Sequence, residues 1–267
     1  MLILLSPAKT LDFETTVPSF AQSMHQPSFL KQSKDLIKHL KELDSPQLAK
    51  LMKLSDKLAQ LNVDRYQSWK GQGQRPALYT FKGDVYQGLA ADTMTADLFA
   101  KAEKHLVILS GLYGLLHPAT AIEAHRLEMG TSLSTKKGKN LYQFWDKRLT
   151  QKLKENLSQH KDPVVINLAS QEYSKSVDFK ALQANVITPV FKDEKNGKYK
   201  IISFYAKRAR GLLARHLLEC QLDQELSVQA QNEIKGLLSF TSEGYRYDPT
   251  GSTPTAPLFI RSEADRT

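Results

Sequence analysis

The sequence predicts a mixed α/β fold in which a sheet is surrounded by helices within one domain. Short apolar runs of strand length are scattered from the first residues to beyond residue 200, and amphipathic segments lie between them. No Pro/Gly/Ser-rich linker, low-complexity tract or fixed-period repeat divides the chain. The 267 residues are 41% hydrophobic, which is enough for a full core. We therefore expect a single domain over residues 1–267.

The predicted strands are apolar runs bounded by polar or turn-forming residues. They are residues 2–5, 78–81, 106–109, 164–168, 186–190 and 200–204. Unbroken apolar runs of this length are typical of strands buried on both faces. Polar clusters follow several of them, and the carboxyl ends of strands in open α/β sheets converge on a crevice. We expect the functional site at these strand ends.

Two segments have the periodicity of amphipathic helices. Residues 29–43 have a lysine-rich outer face, and residues 140–157 place several apolar side chains on one stripe. Both are interpreted as structural.

Residues 45–61 predict two short helices across a tight turn. Ser45 before Pro46 and Ser55 before Asp56 are helix-start signals. The pair is helix-hairpin-helix-like, although it lacks hairpin glycines, and its helix N-termini would favour a phosphate. Its exposed cations are expected to be Lys50, Lys53 and Lys57.

The chain is basic, with 37 Lys and Arg against 28 Asp and Glu, a net charge of +9 and a pI near 9.4. Two thirds of that excess lies in residues 192–215, which read as a turn, a strand and a helix. A basic helix that buries one face suits nucleic-acid phosphate, and a merely solvated basic face is about equally expected. The candidate DNA contacts in this block are Lys192, Lys195, Lys198, Lys207, Arg208, Arg210 and Arg215.

Cys220 is alone, which excludes an intramolecular disulfide and a cysteine-based metal cluster. We interpret it as a small buried hydrophobe rather than a peroxide-sensing thiol. The seven histidines show no metal-binding spacing, so neither a metal nor another cofactor is predicted. The apolar start is too short for a signal segment and no run has transmembrane length, so we expect a cytoplasmic protein without membrane contact.

A polar crevice at the strand ends is the second candidate site. Its candidate catalytic residues are Ser6, Lys9, Lys82, Asp84, Arg126 and Glu243. Its candidate base or ligand contacts are Tyr113, Ser170, Tyr173 and Lys175. Ser6 and Lys9 match the S-x-x-K pattern of acyl-transfer enzymes, but the later partner motifs are missing, so we interpret the match as accidental.

Eight ordered blocks together resemble the bacterial YaaA family from Met1 to about Asp248. They are L-I-L-L-S-P-A-K-T, F-K-G-D-V-Y-Q-G-L, L-S-G-L-Y-G-L-L, H-R-L-E-M-G, L-Y-Q-F-W, V-I-N-L-A-S-Q-E-Y, F-K-D-E-K-N-G-K and I-I-S-F-Y-A-K-R-A-R-G-L. The resemblance implies a DNA-binding protein of peroxide resistance that limits free intracellular iron. It also implies a single-domain α/β fold with a positively charged cleft and a helix-hairpin-helix element. On this sequence, residues 192–215 would line the cleft and residues 45–61 would form the hairpin.

These observations lead to two functional hypotheses. The first is a peroxide-stress protein that binds DNA mainly through phosphate, with no obligate protein partner evident. The second is an enzyme that acts on a nucleobase or nucleotide in the crevice. An open basic groove of duplex width favours the first hypothesis, whereas a small crevice of convergent polar groups favours the second.

Overall fold

The computed structural model describes residues 1–160, 163–220 and 235–266. Within these ranges the strands are β1 Leu2–Leu5, β2 Thr10–Leu11, β3 Arg75–Pro76, β4 Phe81–Lys82, β5 Leu106–Ser110, β6 Gly114–Leu116, β7 Ala121–Ile122, β8 Val164–Asn167, β9 Asn185–Ile187, β10 Val190–Lys195, β11 Lys198–Lys200, β12 Arg246–Thr253 and β13 Ala256–Arg261. The α-helices are α1 Leu30–Lys41, α2 Ser45–Met52, α3 Asp56–Ser68, α4 Ala77–Thr80, α5 Asp84–Leu89, α6 Ala96–His105, α7 Leu141–Trp145, α8 Arg148–Leu157, α9 Gln171–Ser174, α10 Ser203–Glu219 and α11 Lys235–Leu238. The mixed α/β class is confirmed.

The core sheet has the strand order β6-β5-β1-β8-β9. β1 pairs in parallel with both β5 and β8, and β8 pairs in parallel with β9. Strands β1, β5 and β8 are buried along their whole length, as their unbroken apolar runs predict. Their carboxyl ends lie at one edge of the sheet, where the polar segments that follow them meet.

A second sheet has the order β11-β10-β13-β12. β10 pairs in parallel with β13, in the register Val190 to Leu258, although the two strands are far apart in sequence. Its interior holds an ion pair in which Arg261 Nε lies 2.7 Å from Asp193 Oδ1, with side-chain exposures of 4% and 0%. The Tyr245 hydroxyl donates to the other oxygen of Asp193 at 2.8 Å. The carboxylate is therefore fully partnered.

Three of the predicted elements are wrong or incomplete. Residues 77–80 form the short helix α4 instead of a strand. Pro76 precedes this helical turn, and the Thr80 hydroxyl donates to the Pro76 carbonyl at 2.8 Å. The predicted strand over 200–204 is replaced by the end of β11 and the start of α10. The predicted strand over 186–190 is divided between two sheets around Pro189, which cannot donate a ladder hydrogen bond.

The predicted helix over 140–157 is two helices, since Asp146 has a φ of 45° between α7 and α8. The predicted pair over 45–61 is present as α2 and α3, with Lys53 at a φ of 54° in the turn. Asp44, not Ser45, caps α2, and its carboxylate accepts from the Gln47 amide at 2.8 Å. Lys50, Lys53 and Lys57 are all exposed on this pair.

Helices α5 and α10 cross in direct backbone contact. A Cβ at Gly211 would lie 1.8 Å from the Val85 carbonyl oxygen, and one at Gly88 would lie 2.2 Å from the Arg208 carbonyl oxygen. Gly211 therefore does not interrupt α10; it permits the close crossing. This crossing fixes the N-terminal half of α10 beside the β4–α5 turn. None of the described helices has both the length and the apolar character needed to span a membrane.

Candidate functional site

A cavity of about 420 Å³ lies at the carboxyl ends of β1 and β8, between the β4–α5 turn and helix α10. Its volume falls within the usual range for small-molecule sites. Its lining residues come from distant parts of the chain: Ser6, Pro7, Ala8, Lys9, Thr10, Phe81, Lys82, Gly83, Asp84, Val85, Tyr86, Ser110, His125, Arg126, Leu127, Glu128, Leu168, Ser170, Glu172, Tyr173, Lys207 and Arg210.

The cavity brings together most of the residues predicted for the strand-end crevice. These are Ser6, Lys9, Lys82, Asp84, Arg126, Ser170 and Tyr173. It also includes Lys207 and Arg210, which the sequence assigned to a separate DNA surface. The two candidate sites of the sequence therefore meet at one cavity.

The floor of the cavity is held by hydrogen bonds between β1 and the segment after β8. The Ser6 hydroxyl accepts from the Ser170 amide at 2.8 Å, and the two hydroxyls lie 3.3 Å apart. The Tyr86 hydroxyl donates to the Ser6 carbonyl at 3.0 Å. Lys9 Nζ lies 3.1 Å from Glu128 Oε1, so its ammonium is paired with a carboxylate and not with Ser6. This supports the accidental interpretation of the S-x-x-K match.

Glu128 balances two of the cavity cations. Arg126 Nη2 lies 2.9 Å from the same Glu128 oxygen that Lys9 contacts. The carbonyl of Arg126 accepts a hydrogen bond from the Tyr66 hydroxyl of α3, so the helix pair supports this wall from behind. Lys82 Nζ is 3.3 Å from Asp12 Oδ2. These three cations therefore have carboxylate partners.

Two cations and two carboxylates of the cavity differ from that pattern. Among the residues that the structure describes, none forms an ion pair with Asp84, Glu172, Lys207 or Arg210. Lys207 is exposed, whereas Arg210 is partly buried, and burial lowers the pKa of its guanidinium. Lys207 and Arg210 are thus cavity cations without an ion-pair partner among the described residues.

The remaining wall is aromatic and neutral. Burial lowers the pKa of His125 to about 4, and its Nδ1 lies 2.8 Å from the Glu123 carbonyl oxygen. That bond requires a proton on Nδ1, so Nε2 of the neutral ring is the acceptor. Burial also raises the pKa values of Tyr86 and Tyr173, which keeps both phenols protonated. The wall is therefore uncharged at neutral pH.

The structure does not bring three predicted residues into the cavity. Tyr113 is buried, and its hydroxyl accepts from Trp69 Nε1 and from the Glu123 amide, each at 3.1 Å. Its predicted stacking on a base is wrong, because no ring face is free. Lys175 is exposed at the end of α9, outside the lining residues. Glu243, predicted as an acid or base, instead binds Arg208 through both carboxylate oxygens, with Nε distances of 2.8 and 3.0 Å.

The basic block divides into paired and unpaired cations. Arg208 is bound to Glu243, and Arg215 lies 2.5 Å from Glu219 and donates to the Ala90 carbonyl at 2.9 Å. Both contribute to packing within the protein, so the cations of this block are not equivalent. The lysines of the block outside α10 lie on the β10–β11 hairpin: Lys192, Lys195, Lys198 and Lys200.

Sequence reasoning missed the neutral and acidic lining residues, chiefly Tyr86, His125, Glu128 and Glu172, as cavity residues. Gly88 and Gly211 carried a usable signal for the crossing of α5 and α10, because a glycine inside a helix often marks a close approach of another element. The same reasoning predicted a buried Cys220; the residue is partly exposed, with its sulfur 3.8 Å from His216 Nε2. The described residues contain no cluster of three or more His, Cys, Asp or Glu side chains suited to a metal ion.

A family model described as peroxide stress protein YaaA matches residues 1–251. The chain belongs to the YaaA family. This confirms the resemblance that the eight sequence blocks indicate, and it supports a role in peroxide stress. The match ends before β13, so the family model covers every cavity-lining residue but not β13, one of the two inner strands of the second sheet.

Relatives of this YaaA family member match it over its whole length. A UPF0246 protein of Shewanella piezotolerans is 48% identical over 98% of this chain and 100% of its own length. A UPF0246 protein of Shewanella loihica is 46% identical over 98% of this chain and 99% of its own length. A UPF0246 protein of Aliivibrio fischeri is 46% identical over the full length of both chains. The C-terminal strands therefore have counterparts in these relatives.

Proposed function

We propose that this protein binds DNA in the peroxide stress response and that the DNA phosphates contact the lysines around the mouth of the cavity. The observation that carries this proposal is the convergence of Lys9, Lys82 and Lys207 on one opening. The side chains of Lys9 and Lys82 are 66% and 61% exposed, and Lys207 is exposed as well. They come from three elements: the segment after β1, strand β4 and helix α10.

Exposed lysines favour phosphate without reading bases. A lysine is a flexible point charge, and its contact with phosphate releases condensed counterions whatever the sequence. Binding is therefore mainly phosphate-directed. The weak ion pairs of Lys9 and Lys82 exchange readily for phosphate, because solvent-exposed pairs contribute only about 0 to 1 kcal/mol.

The resemblance to the YaaA family implies a role in limiting free iron, and we propose that the protein acts on iron-driven damage indirectly. DNA occupied by the protein is shielded from iron-driven damage, and this protection requires no iron ligand from the chain. The site of action is the cytoplasm, where the chromosome lies. A measured stoichiometric binding of ferrous iron by the purified protein would contradict the indirect route.

The decisive experiment is the affinity for a short duplex across a salt series. The triple variant Lys9→Gln, Lys82→Gln, Lys207→Gln should flatten the dependence of log affinity on log salt by roughly 2 to 3, because each phosphate contact contributes about 0.9. The matched control is Lys31→Gln, Lys34→Gln, Lys38→Gln, which removes the same charge from exposed positions on α1. We expect the control to keep the native slope.

A third variant tests the helix pair. Lys50→Gln, Lys53→Gln, Lys57→Gln removes its exposed cations. A flattened slope in this variant, with the cavity variant unchanged, would move the DNA contact to α2 and α3. Equal loss in all three variants would mean that only net charge matters, and the proposed location would be wrong.

A second candidate function is an enzyme that acts on a nucleobase or nucleotide. It is favoured by the cavity, in which Ser6, Ser170, Asp84 and His125 converge from separate segments. Incubation with nucleotides and single-stranded DNA, followed by mass analysis of the products, would test it. Ligand binding without any released base or phosphate would exclude catalysis on those substrates.

A further inference from the structure

Arg210 and Lys207 lie three residues apart on α10, so they share one face of the helix, and both line the cavity. The other arginines of this region are balanced: Arg208 by Glu243, Arg215 by Glu219 and Arg261 by Asp193. No described carboxylate pairs with Arg210, although desolvation disfavours its charge. An unbalanced cation next to a cavity indicates that the missing anion belongs to a ligand.

The free-energy cost of burying the Arg210 guanidinium favours a ligand site over burial that results from packing alone. A partly buried guanidinium without a counter-ion loses hydration and gains nothing in return. The helix crossing at Gly88 and Gly211 fixes α10 against α5, so the backbone that carries Arg210 is held beside the cavity. An anion in the cavity would restore the balance through charge-assisted hydrogen bonds to the planar guanidinium.

The rest of the cavity indicates what carries that anion. Three largely buried rings, Phe81, Tyr86 and Tyr173, form part of its wall. The ring centroids of Phe81 and Tyr86 lie 5.5 Å apart with the ring planes tilted by 38°, so this wall offers aromatic contacts to a ring of the ligand. Asp84 lines the cavity and forms no ion pair with another described residue, so its carboxylate can accept from a ring N–H or a sugar hydroxyl. Phosphate, planar ring and hydroxyl together describe a nucleotide.

We propose that the cavity binds one nucleotide, with its phosphate on Arg210 and Lys207 and its base against the aromatic wall. The inference rests on the proposed function, because the same opening faces the DNA phosphates. The nucleotide has two possible sources, a free nucleoside monophosphate or a nucleotide extruded from the duplex. The chemistry of recognition is the same for both.

The first test is calorimetric titration of the full chain with each of the four deoxynucleoside 5′-monophosphates, with the matching nucleosides and with inorganic phosphate. At least one monophosphate should bind more tightly than its nucleoside. The variant Arg210→Met should lose that binding by about tenfold or more, because it removes hydrogen bonds to a charged group. The matched control Arg246→Met changes an exposed arginine on β12 and should bind like the native protein.

Folding is checked in the same variants. Arg210→Met should have a thermal midpoint no lower than that of the native protein, since it removes an unbalanced charge. Arg210→Lys keeps the charge but not the planar fork, so it should retain part of the binding. Equal affinity of nucleoside and monophosphate, or native binding by Arg210→Met, would overturn the proposal.

The second test separates the two sources with a duplex that contains 2-aminopurine. A rise in its fluorescence with the native protein, lost in Arg210→Met, identifies an extruded nucleotide. Binding of free monophosphates without that rise identifies a free nucleotide. Neither signal, with duplex affinity still dependent on Lys9, Lys82 and Lys207, would refute the cavity proposal and leave DNA binding intact. Monophosphate binding without duplex affinity would refute DNA binding alone.

Discussion

The cavity and the second sheet both hold charge away from water, but they balance it differently. In the sheet, Asp193 is paired with Arg261 and accepts from Tyr245, so the two buried charges are partners of each other within the protein. In the cavity, Arg210 and Lys207 have no described carboxylate partner. The first arrangement holds strands together, whereas the second leaves binding energy for a ligand. Net charge along the sequence does not separate these two uses of arginine.

The largest effect should come from breaking the balanced pair. Asp193→Ala leaves Arg261 buried without its main counter-ion, and we expect the free energy of unfolding to fall by about 3 to 5 kcal/mol. Urea denaturation at neutral pH measures the change. The double variant Asp193→Leu, Arg261→Met should be less destabilised than Asp193→Ala, because it removes both charges together. A loss below about 1 kcal/mol in Asp193→Ala would contradict the comparison, since exposed pairs contribute no more than that.

The next effect concerns the crossing that presents the unbalanced cations. Gly211→Ala would place a Cβ 1.8 Å from the Val85 carbonyl oxygen and push α10 away from α5. We expect destabilisation of about 1 to 3 kcal/mol despite the better helix propensity of alanine, together with weaker nucleotide binding. Gly197→Asn is the comparison, because the space around Gly197 is open and asparagine tolerates its φ of 70°. A Gly211→Ala protein as stable as the native one would show that the helices can separate freely.

The smallest effect is a pH dependence from the neutral wall of the cavity. Burial lowers the pKa of His125 to about 4, below its ordinary value of about 6.5. Between these values the unfolded chain binds a proton that the folded chain does not, so stability falls as pH drops through this window. From about pH 7 to about pH 5 the loss from this group should be about 2 kcal/mol.

His125→Gln removes that titration while keeping a donor for the Glu123 carbonyl. Urea midpoints at the two pH values should therefore differ less for His125→Gln than for the native protein. His39→Gln on α1 is the control substitution, since the His39 ring contacts the Asp35 carbonyl and is not among the residues that line the cavity. If the urea midpoint of His125→Gln changes with pH as much as that of the native protein, burial does not suppress protonation of the His125 ring.

The sequence predicted the elements that depend on local pattern. Strands β1, β5 and β8 are unbroken apolar runs, and the α2–α3 pair has helix-start signals, so each was found in the right place. The wrong predictions were short apolar runs whose state depends on neighbours. Residues 78–81 follow Pro76 into a helical turn, and Ile202 to Phe204 lead into α10 instead of extending a strand.

The cavity was half predictable. Ser6 and Ser170 come after the buried strands β1 and β8, and that rule brought them together correctly. Lys82 also lines the cavity, but the strand predicted before it is mainly helix α4. Glu243 was misplaced, because a carboxylate near a glycine and two tyrosines looks catalytic in sequence. Its actual role, as the acceptor for Arg208, depends on a contact 35 residues away in the chain. The separation of balanced from unbalanced arginines likewise required the three-dimensional partners.

The position of β13 in the second sheet has a consequence for synthesis of the chain. β10 ends at Lys195, but its parallel neighbour β13 begins only at Ala256, so β10 and Asp193 are synthesised about 60 residues before β13 and Arg261. Until β13 and Arg261 leave the ribosome, one edge of β10 has no partner strand and the Asp193 carboxylate, buried in the complete fold, stays exposed. The nascent chain can thus complete the core sheet and cavity while the second sheet is still open. A chain that stopped near residue 251 would lack β13 and Arg261, and that edge of β10 would stay unpaired.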